Sequence, residues 1–325
     1  MTPPSAKRDH DTRRDEGATR ARNDRTRVLS MIGAPSSAGA YGPGQEHAPV
    51  AFRKHGLERA LTASGRRIVD RGDGPLVGWQ PDRFAPTTAN AGLVASVART
   101  LAESVAAAFA DGHDVLVLGG DCTVELGTVT GAIQDGARVG LAYVDLDADL
   151  NTPETGDGIL DWMGVAHILD VAGGHRDLSS LAGRRPMLEP HAVRLFATDN
   201  ITAAEQSTIA RLDLRVESLA TVTGDGSAVA ERTRVWAAGF DRILVHVDID
   251  VLDFEKFPIA ENTDVRGGLE IGQLTSLLTM LCCPPNWTAL TLCEVNPAHA
   301  PDEAEALQRL IEMLAQALSE TRADR

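Results

Sequence analysis

Two short stretches of this chain crowd carboxylates together: Asp145-Leu146-Asp147-Ala148-Asp149, and Asp248-Ile249-Asp250 followed by Val251-Leu252-Asp253. Each follows an apolar run, VGLAYV in the first case and RILVHV in the second. Side chains of a strand alternate with period two, so Asp145, Asp147 and Asp149 are expected on one side, with Leu146 and Ala148 on the other. Like charges held so close resist ionising together, and a divalent cation removes the conflict. Carboxylate oxygens suit Mn, Mg and related ions, so Asp145, Asp149, Asp248 and Asp250 could surround two of them. A solvated acidic strand end would account for one such stretch. A second, at the end of a second strand, points to a metal centre.

Two other strand ends carry chemical groups. After DVLVL comes Gly119-Gly120-Asp121-Cys122, a tight turn that presents an acid and a thiol. Taken alone, that stretch can equally be a turn made by its glycines, with Asp121 capping the next helix. After ALTLC comes Glu294, followed by Val295-Asn296-Pro297. An acid there could hold a cationic substrate head or pair with a surface Arg or Lys.

The elements that must position these groups alternate along the chain. Val28 opens the apolar run VLSMIGAP, which leads through the turn-rich AGAYGPGQ into the helix-like PVAFRKHGLERAL. A helix is expected over 93–111, a strand over 114–118, a helix over 124–134, and strands over 139–144, 193–197, 243–247 and 289–293. Continuously apolar strands separated by helices imply a parallel sheet covered on both faces, because each crossover must return across the sheet. The expected fold is therefore α/β, a doubly wound, mostly parallel sheet in three layers. Ligands of such sheets gather beyond the carboxyl ends of the strands, where the acidic residues lie.

Residues 1–27 hold almost no large apolar side chain and are expected to form a disordered tail, leaving 28–325 as a single domain. The 325 residues suffice for a large core, and a formal charge of -15 repels phosphate backbones and anionic lipid surfaces, so neither nucleic acid nor membrane is expected as a partner. No apolar run is expected to reach the roughly 20 residues needed to cross a bilayer. Four cysteines, two of them adjacent at Cys282 and Cys283, form no spaced disulfide framework, which fits a reducing cytoplasm.

Taken in order, IGAPSSAGAYGPG, GGDCTVELG, DLDADLNTPET, VDIDVLD and EVNP resemble the arginase/agmatinase (ureohydrolase) family, and the resemblance runs from Val28 to the C-terminal helix. It implies a three-layer α/β fold, self-association as a trimer or hexamer, and hydrolysis of a guanidinium group of a small substrate to an amine and urea. It also implies a pair of divalent ions, usually Mn, bound by four aspartates matching Asp145, Asp149, Asp248 and Asp250 and by two histidines. At the histidine positions this chain has Cys122, where the family reads GGDH, and Asp147, where it reads DxHxD. Both can ligate, Cys as a soft thiolate and Asp as a hard carboxylate, so Zn, Fe or Ni become candidates beside Mn. Five carboxylates and a thiolate leave the site about two charges more negative than the family's set, which makes a bound water less acidic.

The resemblance further implies that Glu294 holds the guanidinium and that Asn151 contacts the far end of the substrate. Asp161 stands nearest a proton-transferring histidine of the family, in the stretch Ile159-Leu160-Asp161-Trp162-Met163-Gly164. Asp157 would suit a cationic or hydroxylated substrate tail, and His167 reads as structural. The implied mechanism has a metal-bound hydroxide attacking the guanidinium carbon while Asp161 or Asp149 returns a proton to the leaving amine. Agmatine-like guanidines, arginine, guanidino-acids and N-hydroxyguanidines all remain candidates. Two rivals stand beside it: Cys122 as a covalent nucleophile, which needs a low thiol pKa and a partnering base, and a catalytically silent relative that binds a guanidine or a protein.

Overall fold

The computed structural model describes residues 27–319 apart from 83, 86 and 266. Eight strands form one sheet in the order β2-β1-β3-β8-β7-β4-β5-β6. They are β1 (Val28–Gly33), β2 (Arg67–Asp73), β3 (Asp114–Leu118), β4 (Val139–Val144), β5 (Val193–Thr198), β6 (Arg215–Ser218), β7 (Arg242–Asp248) and β8 (Trp287–Cys293). Every pairing between them is parallel.

Alternation within the strands builds two cores. Val115 and Val117 of β3 join Leu141 and Tyr143 of β4 on one face, under helices Ala91–Ala110 and Glu125–Ile133. Leu116 and Leu118 join Ala142 and Val144 on the other, under helices Ile271–Leu281 and Glu303–Ala317. Each fully buried Leu or Val contributes about 1.5–3 kcal/mol from removal of its surface from water. The three layers expected from the sequence are present.

The edge strands β2 and β6 were not expected. Their sequences, RIVDRGD and RVES, are charged; β2 is largely exposed and β6 mostly half-buried, with Glu217 buried. Charged edge strands oppose pairing with another chain, and they lack the apolar run that marks a central strand. Helix Ala91–Ala110 corrects another expectation: it is 20 residues long and apolar enough by length and composition to cross a membrane. Here it spends that apolar character on the core, burying Val94, Ala98, Leu101 and Val105. It lies against Glu125–Ile133 almost backbone to backbone; a methyl group on Gly127 would sit 2.7 Å from the Ala98 carbonyl, and one on Gly131 2.6 Å from that of Ala102.

Of the tail expected over residues 1–27, residues 1–26 lie outside the described residues. Arg27 is anchored: its guanidinium pairs with the buried Asp114 at 2.8 Å and donates to the Trp287 carbonyl at 3.1 Å.

Candidate metal centre

The four central strands, β3, β8, β7 and β4, stand side by side and end at the same sheet edge. Their carboxyl ends deliver Cys122, Glu294, Asp248 and Asp145 to one place.

On β3, the turn is closed by the loop after β1. The Asp121 carboxylate accepts from Gly39 N–H at 3.0 Å and from the Ser36 hydroxyl at 3.2 Å, while Asp121 N–H donates to the Ser36 carbonyl at 2.8 Å. Asp121 also accepts from Thr123 N–H at 3.0 Å, capping the short helical turn Cys122–Val124. Gly39 in turn accepts from Leu160 and Asp161 N–H, each at 3.1 Å. Thus IGAPSSAGAYGPG is the clamp that holds both GGDC and the Asp161 loop.

On β4, the expected alternation stops at Val144. Asp145 N–H still donates to the Phe196 carbonyl at 3.1 Å, but the Asp145 carboxylate then accepts from Asp147 N–H at 2.7 Å and the chain turns, with Asp149 at φ 52°. The three aspartates converge through a turn rather than along one strand face. Asp145 and Asp147 group with Asp250, their oxygens within 4.8 Å of one another. Asp149 accepts a hydrogen bond from the buried Tyr143 hydroxyl.

On β7, Asp248 Oδ1 accepts from Asp250 N–H at 2.7 Å, and Oδ2 lies 3.1 Å from Cys122 Sγ. Asp250 also accepts from the Asn262 side chain at 3.2 Å. Asp253 pairs with Lys256 at 3.4 Å. After β8, Glu294 takes a positive φ of 62° and turns its carboxylate inward. Glu294 Oε1 and Asp161 Oδ1 both accept from Cys122 N–H, at 3.1 and 2.7 Å. The Cys122, Asp161 and Glu294 ligand atoms lie within 4.8 Å of one another.

Asn151 and Asp157 have local partners. The Asn151 amide donates to Glu205 Oε1 at 3.1 Å, the same oxygen that takes Leu150 N–H, and Glu205 is the capping-box acid of helix Ala203–Leu212. Asp157 is exposed and accepts from Ile159 N–H at 3.2 Å. His167 is buried; its Nδ1 lies 2.7 Å from the Met163 carbonyl and its Nε2 accepts from His175 N–H at 3.1 Å. Burial lowers its pKa to about 4, so it stays neutral as part of the scaffold.

Tyr143, His246, Glu125 and Cys293, to which no sequence motif assigns a role, also lie at the site. Tyr143 and His246 are register partners on β4 and β7, and their rings stack at 4.1 Å. His246 Nε2 lies 3.3 Å from Cys122 Sγ. The only signal for His246 was one titratable residue inside an otherwise apolar central strand, a place where burial must be compensated.

The electrostatics follow from crowding. Burial first, and then Asp248, Asp149, Asp250 and Asp147, hold Asp145 well above the usual carboxylate range. Burial and Asp250 do the same to Asp248, and burial and Asp161 to Glu294. Burial raises Asp149 despite the lowering hydrogen bond from Tyr143. Asp161 is pushed up to about 8, by burial and then by Asp121. This donor set fits divalent cations: negative groups that cannot all ionise alone can do so around two positive ions.

The same shifts set a stability dependence. Without cations, a carboxylate whose pKa is raised by folding binds its proton more tightly in the native than in the unfolded chain, so stability falls as pH climbs between the two values. For Asp161 that window runs from 3.8 to about 8. Chelator-treated protein is expected to lose Tm from about pH 5 to about pH 8, with Mn²⁺ restoring more at the higher pH. A flat or rising Tm across that interval, or no gain with cation, would contradict the crowded-carboxylate account.

Comparison with known proteins agrees with this architecture. The profile described as Arginase family matches residues 28–318. Human mitochondrial arginase-2 is 28% identical over 306 residues, covering 90% of this chain and 85% of the human protein. The arginase of Bacillus subtilis strain 168 is 27% identical over 292 residues, covering 89% and 97%. The crystal structure of arginase from Bacillus caldovelox superposes with a TM-score of 0.81 at 25% identity, over 91% of this chain and 99% of that one. With a match that spans nearly all of the described residues, this chain belongs to the arginase family, whose members are metal-dependent hydrolases of guanidino C–N bonds.

Proposed function

We propose that this protein hydrolyses the guanidinium group of a small cationic substrate to an amine and urea. The observation that carries the reading is the convergence of acidic groups from four adjacent strand ends on one buried place, with Asp161 and Glu294 together at its side. Asp145, Asp147, Asp149, Asp248, Asp250 and Cys122 would hold two divalent cations, with Cys122 and Asp147 standing where the family carries histidine. Mn²⁺ suits the carboxylates, and Zn²⁺, Fe²⁺ or Ni²⁺ suits a set that includes a thiolate. Bound cations would supply an acidified water as nucleophile and offset the charge of the carboxylates.

The protein's own groups do the rest. Glu294, buried and at the edge of the cluster, pairs with the cationic guanidinium and fixes its plane. Asp161, with its pKa near neutrality, returns a proton to the leaving amine, a task that Asp149 can share. Asn151 and Asp157 sit on the loop after Asp149 and would meet the substrate's tail. The Cys122 nucleophile is disfavoured, because burial, the neighbouring Cys293 and the charge of Asp248 push its thiol well above the usual range, opposite to what an attacking thiolate needs. Among the described residues Cys122, Cys283 and Cys293 are free thiols, which suits a reducing compartment such as the cytoplasm.

The deciding experiment is urea release from agmatine, arginine, 4-guanidinobutyrate and hydroxyarginine, with protein reconstituted separately with Mn²⁺, Zn²⁺, Fe²⁺ and Ni²⁺. Release from one member, abolished by chelation, supports the reading and names the substrate; no release with any metal, despite two bound ions, refutes it. With that substrate, Glu294→Gln is expected to cost about 10- to 100-fold, chiefly in KM, because a charged hydrogen bond to the bound ground state is lost. Asp161→Asn is expected to cost about 10²- to 10⁴-fold, chiefly in kcat. Steady-state kinetics that reverse this split would reassign the two acids.

A further inference from the structure

Beneath the carboxylates lies a second, softer set of donors. Cys122, Cys293 and His246 are all buried, and Sγ, Sγ and a ring nitrogen lie within 4.8 Å of one another. They come from the ends or interiors of three neighbouring strand segments: after β3, at the last residue of β8, and inside β7. His246 Nε2 is 3.3 Å from Cys122 Sγ, and Asp248 Oδ2 is 3.1 Å from the same sulfur. A tetrahedral zinc site with Zn–S near 2.3 Å and Zn–N near 2.0–2.1 Å has S···N edges of about 3.6 Å and S···S edges of about 3.8 Å. On the two Cys122 edges the observed separations need to open by only a few tenths of an ångström, while Asp248, beside Cys122 but outside the 4.8 Å group, must turn toward His246 and Cys293 to complete the set.

An independent feature points the same way. Glu125, the first residue of helix Glu125–Ile133, is fully buried, and among the described residues neither of its carboxylate oxygens has a hydrogen bond. Its Oε2 instead faces His246 Nδ1 at 3.4 Å, and that nitrogen also has no hydrogen bond. A carboxylate buried without compensation is costly. A cation on His246 Nε2 would fix Nδ1 as the donor, polarise its N–H and draw Glu125 into the pair, the arrangement by which carboxylates orient metal-bound histidines. Tyr143 stacks on the imidazole with an interplanar angle of 10° and keeps it from rotating.

We propose that Cys122, Cys293 and His246, with Asp248 as fourth ligand, form a zinc site oriented from behind by Glu125. Asp145, Asp147 and Asp250 then face it as a separate, all-oxygen group suited to a harder ion such as Mn²⁺. The centre is a mixed one, soft on the β3–β8 side and hard on the β4 side, with Asp248 between them. This deepens the hydrolase reading by naming the ligands of one of its two cations, but zinc binding here can be measured without any substrate.

The test uses the full chain in a background where Cys282 and Cys283, which lie outside the cluster, are serine. X-ray absorption at the zinc edge of the wild-type cluster is expected to show two sulfur neighbours, and cobalt titrated into chelator-treated protein is expected to give a thiolate-to-cobalt charge-transfer band. Cys293→Ser should lower that band about twofold by removing one of two thiolates. Glu125→Gln should weaken zinc binding about 10- to 100-fold with the thiolate band retained. Asp145→Asn should leave the band unchanged. Zinc bound with oxygen and nitrogen neighbours only, or cobalt bound with no charge-transfer band in folded wild-type protein, overturns the proposal, and this needs no variant to fold. So does alkylation of Cys122 by iodoacetamide in zinc-loaded protein at the rate seen without zinc, which would mark it as a free nucleophile beside His246. Urea release with Mn²⁺ but no sulfur at zinc would leave the hydrolase reading standing and remove this site; sulfur-ligated zinc with no guanidine hydrolysed would do the reverse.

Discussion

Asp248→Asn is expected to lower kcat/KM by at least about 10³-fold, the equivalent of about 4 kcal/mol of lost transition-state stabilisation. The side chain keeps an oxygen to accept from Asp250 N–H, now at 2.7 Å, so the turn after β7 survives. What disappears is the negative charge that touches both donor groups: it lies 3.1 Å from Cys122 Sγ and raises the pKa of Asp145. The same substitution should make the cation-free protein more stable at about pH 8, because one of several mutually repelling buried acids is gone. Kinetics and thermal melts together check this pair of opposite signs. Activity above a tenth of wild type with two ions bound, or a cation-free melt that falls at that pH, would remove Asp248 from the role assigned here.

Gly120→Ala is expected to be the most damaging change outside the charged cluster. A methyl group there would lie 1.8 Å from the Ser36 carbonyl oxygen and 2.7 Å from the Ser36 nitrogen and carbonyl carbon. All three are backbone atoms, so no rotamer change relieves the clash. Displacing Ser36 also breaks the clamp on Asp121, to which Ser36 contributes its hydroxyl and its carbonyl. Overpacking of this kind costs about 3 kcal/mol or more. With an m-value of about 3 kcal/mol/M, the urea midpoint should fall by about 1 M with the slope unchanged. Gly92→Ala is the control: nothing lies within 4 Å of the added carbon, and replacing an exposed helical glycine should stabilise by about 0.5–1 kcal/mol. A Gly120→Ala midpoint within about 0.2 M of wild type would refute the steric account.

The Gly120 example shows why part of this site was legible and part was not. GGDC could be recognised as a turn at a strand end, but the need for glycine comes from Ser36, 84 positions earlier, whose backbone fills the space a side chain would take. The acids at Asp145, Asp248 and Glu294 were legible because each directly follows an apolar run, and parallel strands bring their carboxyl ends to one edge. The expectation that Asp145, Asp147 and Asp149 share a strand face failed because hydrogen bonding of the Asp145 side chain to Asp147 N–H ends the extended backbone. Strands β2 and β6 escaped notice because an edge strand needs no continuous apolar run.

From its sequence alone, this protein's sheet type, its helical cover and the strand ends that carry its acids could be derived, since local periodicity and the direction of parallel crossovers dictate them. Which of those acids meet which, and that Cys122, Cys293, His246 and Glu125 come together at all, was decided by the order β3-β8-β7-β4 and by the packing of helix Glu125–Ile133 over it. Strand order is set by burial summed over the whole chain, and no stretch of residues encodes it locally.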